Sequence, residues 1–217
     1  MNRYSFKIYA FLLLIIFALS KSIHSYGQQF TSRLNAGITS SQVSGDAAYG
    51  FVQFGLMLGG EVQYNFNPDW SLSFGIRFNQ KGSRIYKTNN SIDTYRLRVN
   101  YIEAPLLAHY KLDALSFGLG PVLGVKLNQR ERTQFGVEDD PRAFDFLEWG
   151  MEGHVRYEIT NRSSLGLLYQ NSIFPVREHL IDQAFQPANF VLGEWHQQWL
   201  NEGQFFSSLS LVLLYML

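Results

Sequence analysis

Apolar and polar residues alternate with a period of two along most of this chain. From Val52 to Phe66 every second residue is apolar or glycine, and the same rhythm runs from Trp70 to Phe78. Successive side chains of a β-strand point to opposite faces, so each of these segments has one apolar wall and one polar wall. The pattern therefore predicts an all-β protein.

Eight segments with this rhythm are separated by alternately short and long connections. The predicted strands span residues 31–43, 51–66, 70–86, 94–112, 115–128, 144–159, 163–174 and 204–217. The predicted short turns are 67–69, 113–114 and 160–162, and the long connections are 44–50, 87–93, 129–143 and 175–203. Short turns at one end and long loops at the other are typical of outer-membrane barrels. We predict an eight-stranded antiparallel up-and-down transmembrane β-barrel.

The first 27 residues are predicted to be a cleaved secretory signal peptide. Arg3 and Lys7 form a charged region that precedes an apolar run over residues 8–19. Ser25 and Gly27 are small residues that fit cleavage before Gln28. A permanent anchor helix would need about 20 apolar residues, which is longer than this run. Residues 28–217 then form one exported barrel domain.

The charge balance argues against nucleic acid as a partner. The chain has 18 basic and 18 acidic residues, and loss of the signal would remove Arg3, Lys7 and Lys21, leaving 15 basic against 18 acidic. No basic stripe stands out from this balance. The chain also has no cysteine, so neither a disulfide scaffold nor a thiolate metal site is available.

Aromatic residues make up 16% of the chain, which suits a barrel with belts of rings at two membrane interfaces. Several of them lie close to the predicted short turns. We predict that these form the periplasmic girdle: Tyr64, Phe66, Trp70, Tyr110, Tyr157 and Tyr215.

Four short motifs resemble those of the PorT-like outer-membrane barrels of the Bacteroidetes. They are NAG from Asn35, NQKG from Asn79, NYIEAPL from Asn100 and GLGP from Gly118. The resemblance runs from about residue 30 to the C-terminus. It departs from the family at Leu217, where an aromatic residue is usual, and in the long last loop. It implies an eight-stranded outer-membrane barrel, and a link to protein secretion is known for one founding member only.

The polar faces of the predicted strands carry both signs of charge. An eight-stranded barrel has an interior just wide enough for side chains to fill, and buried charges must be paired. We therefore predict an ion-pair network that plugs the lumen, with a gated proton or ion path as the alternative. Its predicted members are Arg33, Glu61, Arg77, Lys81, Arg98, Glu103, Lys126, Glu148, Glu152, His154 and Arg156.

The fourth predicted strand changes phase. Residues 95, 97, 99 and 101 share one apolar face, whereas 104, 106, 108, 110 and 112 share the opposite face. An extra residue near 102–105 would restore a single apolar wall, and proline at 105 cannot donate to the ladder. We predict a β-bulge there, with Glu103 turned inward.

Enzymatic and metal sites find little support in the sequence. Glu152 and His154 share a strand face and could be combined with Ser116 into a hydrolase acting on lipid A, but they are ordinary members of an inward polar network. The last loop has acidic residues and histidines without metal-ligand spacing. We predict no catalytic residue, no cofactor and no metal.

The last long loop is the predicted contact surface. Residues 176–185 could form a short amphipathic helix, and four large rings follow in a polar context: Phe185, Phe190, Trp195 and Trp199. Exposed apolar surface of this kind marks an interaction site.

The predicted function is a monomeric, non-enzymatic structural or interaction protein of the outer membrane. Its expected partners are outer-membrane lipid, the barrel-assembly machinery and an extracellular or secretion-machinery partner at the outer loops. The alternatives are transport, as a narrow pore or a secretion accessory, and an enzyme acting on lipid A. A soluble, ligand-binding barrel of the lipocalin kind would invert the two faces.

Overall fold

The structure, a computed structural model, describes residues 29–44, 50–86, 95–133, 136–138, 144–178 and 203–217. The chain divides into two units, Met1–Phe30 and Thr31–Leu217, and the second contains the strands described below apart from their first residue, Phe30. The predicted signal peptide and the four rings of the predicted contact loop lie outside the described residues. Within those ranges, no helix is long and apolar enough to cross a membrane.

Eight long antiparallel strands form a closed barrel. They are β1 (Phe30–Ser44), β2 (Gln53–Asn65), β3 (Trp70–Ile85), β4 (Tyr95–Leu112), β5 (Leu115–Thr133), β7 (Leu147–Glu158), β8 (Ser163–Ser172) and β10 (Gly203–Met216). The last strand pairs back onto the first, from Arg33 opposite Met216 to Ser44 opposite Phe205. Two short strands, β6 (Gly136–Glu138) and β9 (Arg177–Glu178), pair with β5 and β10. The predicted fold class is confirmed.

The two walls of each strand face different surroundings. Many apolar side chains, such as Leu119 and Ile76, point out of the barrel and are exposed, whereas polar side chains such as Thr39 and Ser210 point in and are buried. This order suits a lipid environment outside and a hydrogen-bonded interior. The inverted arrangement of a soluble ligand-binding barrel is therefore wrong for this chain.

The short turns lie at one end of the barrel, here called the short-turn end. Asn67 caps the first of them, because its side-chain oxygen accepts hydrogen bonds from the amides of Asp69 at 3.0 Å and Trp70 at 2.7 Å. Asp113 adopts a φ of 53° in the second, a left-handed conformation that aspartate tolerates. The rings of Trp70 and Tyr110 pack there with their centroids 5.0 Å apart. The predicted aromatic girdle is thus assembled at this end.

The opposite end, here called the long-loop end, contains more strand than predicted. β5 continues to Thr133 and pairs with β6, so part of the predicted 129–143 connection is a hairpin. The predicted helix over 176–185 is wrong at its start, because Arg177–Glu178 pairs with Gly203–Gln204 as a strand. The remainder of that predicted helix lies outside the described residues.

The predicted β-bulge is misplaced. β4 alternates without a break, and Leu97, Val99 and Tyr101 are buried on the same inward face as Glu103. The register shift lies between β4 and β5: Asn100 pairs with Asn128, but Tyr101 pairs with Lys126. The extra residue is therefore Leu127 of β5, which changes the phase of the last part of that strand.

Candidate functional site in the barrel interior

Glu103 of β4 is the centre of a buried ion network. Its carboxylate accepts hydrogen bonds from Arg77 Nε at 2.8 Å and from Asn79 Nδ2 at 3.2 Å, and it pairs with Lys81 Nζ at 2.6 Å. Gln170 Nε2 approaches from the far wall at 3.3 Å. Side chains of four strands, β3, β4, β7 and β8, thus meet in this network, and β7 supplies its other carboxylates.

Two glutamates of β7 complete the network. Lys81 Nζ lies 2.8 Å from Glu148 Oε1, which also accepts a hydrogen bond from Ser172 at 3.0 Å. Arg77 pairs with Glu152 across the lumen. Both cations therefore bridge two carboxylates, and all five charged side chains are almost completely buried. Two cations thus face three carboxylates, and hydrogen bonds from Asn79, Gln170 and Ser172 help to offset the desolvation of these buried ions.

A second ion cluster lies nearer the short-turn end. Glu61 accepts from Arg156 Nη2 at 3.0 Å and from Arg33 Nη1 at 3.5 Å. Arg33 also donates to Gln63, whose amide nitrogen donates to Ser71 at 2.7 Å. This cluster lies inside the barrel between the Glu103 network and the short-turn end.

A histidine pair lies beside the Glu103 network. Ser73 Oγ lies 2.6 Å from His109 Nε2, and His109 Nδ1 lies 3.2 Å from His154 Nε2. His154 Nδ1 is 3.7 Å from Glu152 Oε1, which is beyond hydrogen-bond distance. The chain of contacts resembles a proton relay in its residue types, but its serine is almost completely buried inside the barrel.

The long-loop end of the interior is apolar. Seven buried side chains pack together there: Val43, Leu97, Val99, Tyr101, Phe144, Val176 and Phe206. Phe206 stacks on Phe144 at 5.3 Å and meets the edge of Tyr101 at 5.9 Å. The ammonium group of Lys81 lies 5.4 Å from the Tyr101 ring, so this apolar cap rests directly on the ion network.

A separate ion pair lies beside the apolar cap. Glu131 accepts from Arg177 Nη2 at 3.1 Å and from the Tyr95 hydroxyl at 2.7 Å. The guanidinium group of Arg177 lies 4.7 Å from the centre of the Phe144 ring. Charge and apolar surface are therefore both enclosed at this end.

The structure distributes the predicted interior residues unevenly. Most of them face the lumen: Arg33, Glu61, Arg77, Lys81, Glu103, Glu148, Glu152, His154 and Arg156. Lys126 is half-buried at the long-loop end and donates to Gln129 at 3.2 Å. The placement of Arg98 is wrong: it lies on the outward face, opposite Arg130, because β4 has no bulge to turn it inward.

Four further interior residues were not predicted from the sequence. His109 lies three alternations from Glu103 on β4, and Ser73 faces it from β3. Glu131 and Arg177 fell within predicted loops, where no face could be assigned. Continued alternation from Glu103 would have found His109.

A cavity of about 20 Å³ lies between the two ion clusters, bordered by Glu61, Arg77, Glu152 and Arg156. Such a volume holds about one water molecule. Within the described ranges, no group of three or more His, Cys, Asp or Glu side chains could hold a metal ion.

The closed barrel, its apolar outer wall and its enclosed charges define a transmembrane β-barrel protein. A family model described as the outer membrane protein beta-barrel domain matches residues 24–176, and the chain belongs to this family. The family supports an outer-membrane location. No curated protein sequence matches the chain.

Several solved structures are similar to this chain. Neisserial surface protein A is 15% identical with a TM-score of 0.48, covering 86% of this chain and 96% of its own. Ail, the attachment invasion locus protein of Yersinia pestis, is 13% identical with a TM-score of 0.49, covering 87% and 99%. OprG from Pseudomonas aeruginosa is 10% identical with a TM-score of 0.45, covering 87% and 96%. At these values the likeness concerns architecture alone.

Proposed function

We propose that this protein is a non-conducting, non-enzymatic outer-membrane barrel that acts through its long-loop end, with that end facing the outside of the cell. The observation that carries the proposal is the buried network around Glu103. Arg77 and Lys81 of β3 each join Glu103 on the adjacent strand β4 to a glutamate of β7 across the lumen, so they hold opposite walls together. An open channel would need these pairs to separate and their charges to be hydrated.

The apolar cap supports the same proposal. Tyr101, Phe144 and Phe206 pack against one another inside the barrel at the long-loop end. Hydration of the network from that side would require the rings to move. The ion clusters and the cap together form two successive barriers along the barrel axis.

We also propose the subgroup of barrels to which the chain belongs and the surface through which it contacts its partner. The motifs from Asn79, Asn100 and Gly118 support a PorT-like barrel, and two of their residues, Lys81 and Gly118, face the interior. The predicted contact loop with Phe185, Phe190, Trp195 and Trp199 belongs to the proposed outer end. A signal peptide over residues 1–27 would deliver the chain to the periplasm.

Ion conductance tests the proposal. Protein refolded from inclusion bodies, and therefore free of native porins, is inserted into planar bilayers in concentrated KCl. Insertion is verified in the same lipid by the faster migration of the unboiled protein on SDS gels. We expect no resolved conductance steps from the inserted protein. Reproducible steps that scale with the amount inserted would overturn the proposal and favour a narrow pore.

The transport alternative rests on the same residues. If the ion pairs can rearrange, substitutions that remove the apolar cap would expose the ion network to water and raise the conductance. The double variant Tyr101→Ala, Phe206→Ala therefore separates the two barriers. Silence in this variant would show that the ion network alone seals the lumen.

A further inference from the structure

Five arginines lie together on the outward face of β3, β4 and β5 at the long-loop end. This arginine cluster consists of Arg84, Arg96, Arg98, Arg130 and Arg132. The strand register sets Arg84 opposite Arg96, Arg96 opposite Arg132, and Arg98 opposite Arg130. Like charges directly opposite each other on one sheet face are destabilising. Such an arrangement calls for an anion that offsets the repulsion.

No described residue supplies that anion. Within the described ranges, none of the five guanidinium groups forms an ion pair, and Glu131, which lies between Arg130 and Arg132, points inward to Arg177. The Nε atoms of Arg96 and Arg98 are buried and have no hydrogen-bond partner among the described residues. Four of the arginines border a cavity of about 190 Å³: Arg96, Arg98, Arg130 and Arg132.

The β-bulge of β5 creates this cluster. Lys126 and the even-numbered residues before it face inward, so an uninterrupted strand would also turn residues 130 and 132 inward. The extra residue Leu127 reverses the phase, which places Arg130 and Arg132 outside and Glu131 inside. The cluster is thus a product of the fold, and not a run of residues in a loop.

Its height above the membrane follows from the strand beneath it. A polar ladder lies next to the cluster on the same face, where Gln80 donates to Asn100 at 2.9 Å and Asn100 donates to Asn128 at 2.8 Å. From Asn100 to the girdle residue Tyr110, β4 runs about 34 Å, which at a tilt of about 40° spans about 26 Å of the bilayer normal. An apolar band of about 25 Å fits this interval. The polar ladder therefore marks the membrane boundary, and the arginines lie immediately beyond it.

We propose that the arginine cluster binds the phosphate groups of a phosphorylated glycolipid of the lipid A class in the outer leaflet. The guanidinium fork matches phosphate oxygens in a bidentate geometry. The cluster faces sideways from the barrel wall, in line with the lipid-facing side chains below it, so its ligand approaches from within the leaflet. This inference rests on the proposed orientation of the barrel and not on the sealed lumen.

Binding to matched lipids tests the inference. Wild-type protein in nanodiscs is titrated with lipid A carrying its phosphates and with the same lipid A after enzymatic dephosphorylation, and bound lipid is counted by native mass spectrometry. We expect a clear preference for the phosphorylated lipid. The double variant Arg98→Gln, Arg130→Gln should lose about tenfold in affinity for it, since basic residues at a membrane surface act on anionic lipid. Arg162→Gln, an exposed arginine at the short-turn end, is the matched control and should keep wild-type affinity.

Three results would overturn the inference. Equal binding of the two lipids by the wild type would remove the role of phosphate, and an unaffected double variant would remove the role of the cluster. Equally tight binding of the water-soluble phosphorylated disaccharide by the detergent-solubilised protein would assign the cluster to a soluble polyanion. The shift of the unboiled band confirms that each variant is folded. Conductance is recorded on the same preparation, so a failure of this inference can be told apart from a failure of the proposed sealed lumen.

Discussion

Lys81 and Glu103 lie 2.6 Å apart in the middle of the barrel, and neither side chain has any contact with solvent. The pair is part of a chain of charges in which Arg77 and Glu148 are the next members. Removal of one member leaves its partner charged and enclosed, and that cost exceeds the loss of a single hydrogen bond. The interior therefore behaves as one unit.

Glu103→Gln should strongly destabilise the barrel. The substitution keeps the shape of the side chain but removes the charge that Arg77 and Lys81 share. Arg77 keeps Glu152 and Lys81 keeps Glu148 as partners, so the expected cost is that of two weakened charged hydrogen bonds, about 2–4 kcal/mol. The free energy of unfolding is measured in urea on protein refolded into liposomes, with tryptophan fluorescence as the signal.

Glu158→Gln is the control for that experiment. Glu158 pairs with Lys111 at 2.8 Å, but their side chains are 38% and 44% exposed. Such a surface pair contributes less than about 1 kcal/mol. If Glu103→Gln cost no more than Glu158→Gln, the network would not hold the walls together.

Tyr101→Phe should leave stability unchanged or raise it. The ring of Tyr101 is completely buried against Phe206, and its hydroxyl has no hydrogen-bond partner among the described residues. Removing an unpaired buried hydroxyl is neutral or favourable. Tyr101→Ala, in contrast, should cost about 3–5 kcal/mol, since it empties the apolar cap. A large loss in the phenylalanine variant would reveal a partner for the hydroxyl.

Gly120→Ala should destabilise the barrel, whereas Gly153→Ala should not. A methyl group at Gly120 would run into the backbone oxygen of Leu106 on the adjacent strand. Overpacking of this kind costs about 1–3 kcal/mol. At Gly153 the same methyl would lie 3.8 Å from Leu119, an ordinary contact. Equal midpoints of unfolding for the two variants would mean that β4 and β5 are not held this closely.

His109→Ala and His154→Ala should leave lipid A unchanged. The two histidines contact each other, Ser73 and the ion network, and all of these side chains are enclosed by the barrel wall. Mass spectra of lipid A from cells that express each variant, the wild type or no copy of the protein are expected to agree. A lipid A species that depends on the wild type and disappears in either variant would establish an enzyme.

The barrel itself could be predicted from the sequence because its signal is local. A period of two needs only neighbouring residues, and turn residues such as Asn67 mark where each strand ends. The predicted strand from residue 163 and the observed β8 begin at the same residue, and β4 and β5 share the predicted turn between Leu112 and Leu115.

Which side chains point into the barrel at the long-loop end could not be predicted, because the prediction assigned apolar side chains to the outside on hydrophobicity alone. Leu97, Val99 and Tyr101 were assigned to lipid, yet they fill the interior above the ion network. Arg98 was assigned to the interior for the complementary reason. Over this part of β4, apolar side chains point into the barrel and the polar side chains between them point out. The unbroken alternation of β4 through Glu103 sets these directions, and only the structure shows that β4 has no bulge.

The unequal strand lengths have a consequence in the plane of the membrane. β5 runs over 19 residues and continues beyond the point where Val125 pairs with the first residue of β7, whereas β8 has only 10 residues. The wall is therefore high on the side of β3 to β5 and low on the side of β7 and β8. A neighbour that diffuses in the same leaflet meets a different surface on each side, so the barrel has a front and a back, and its encounters depend on how it is rotated about the membrane normal.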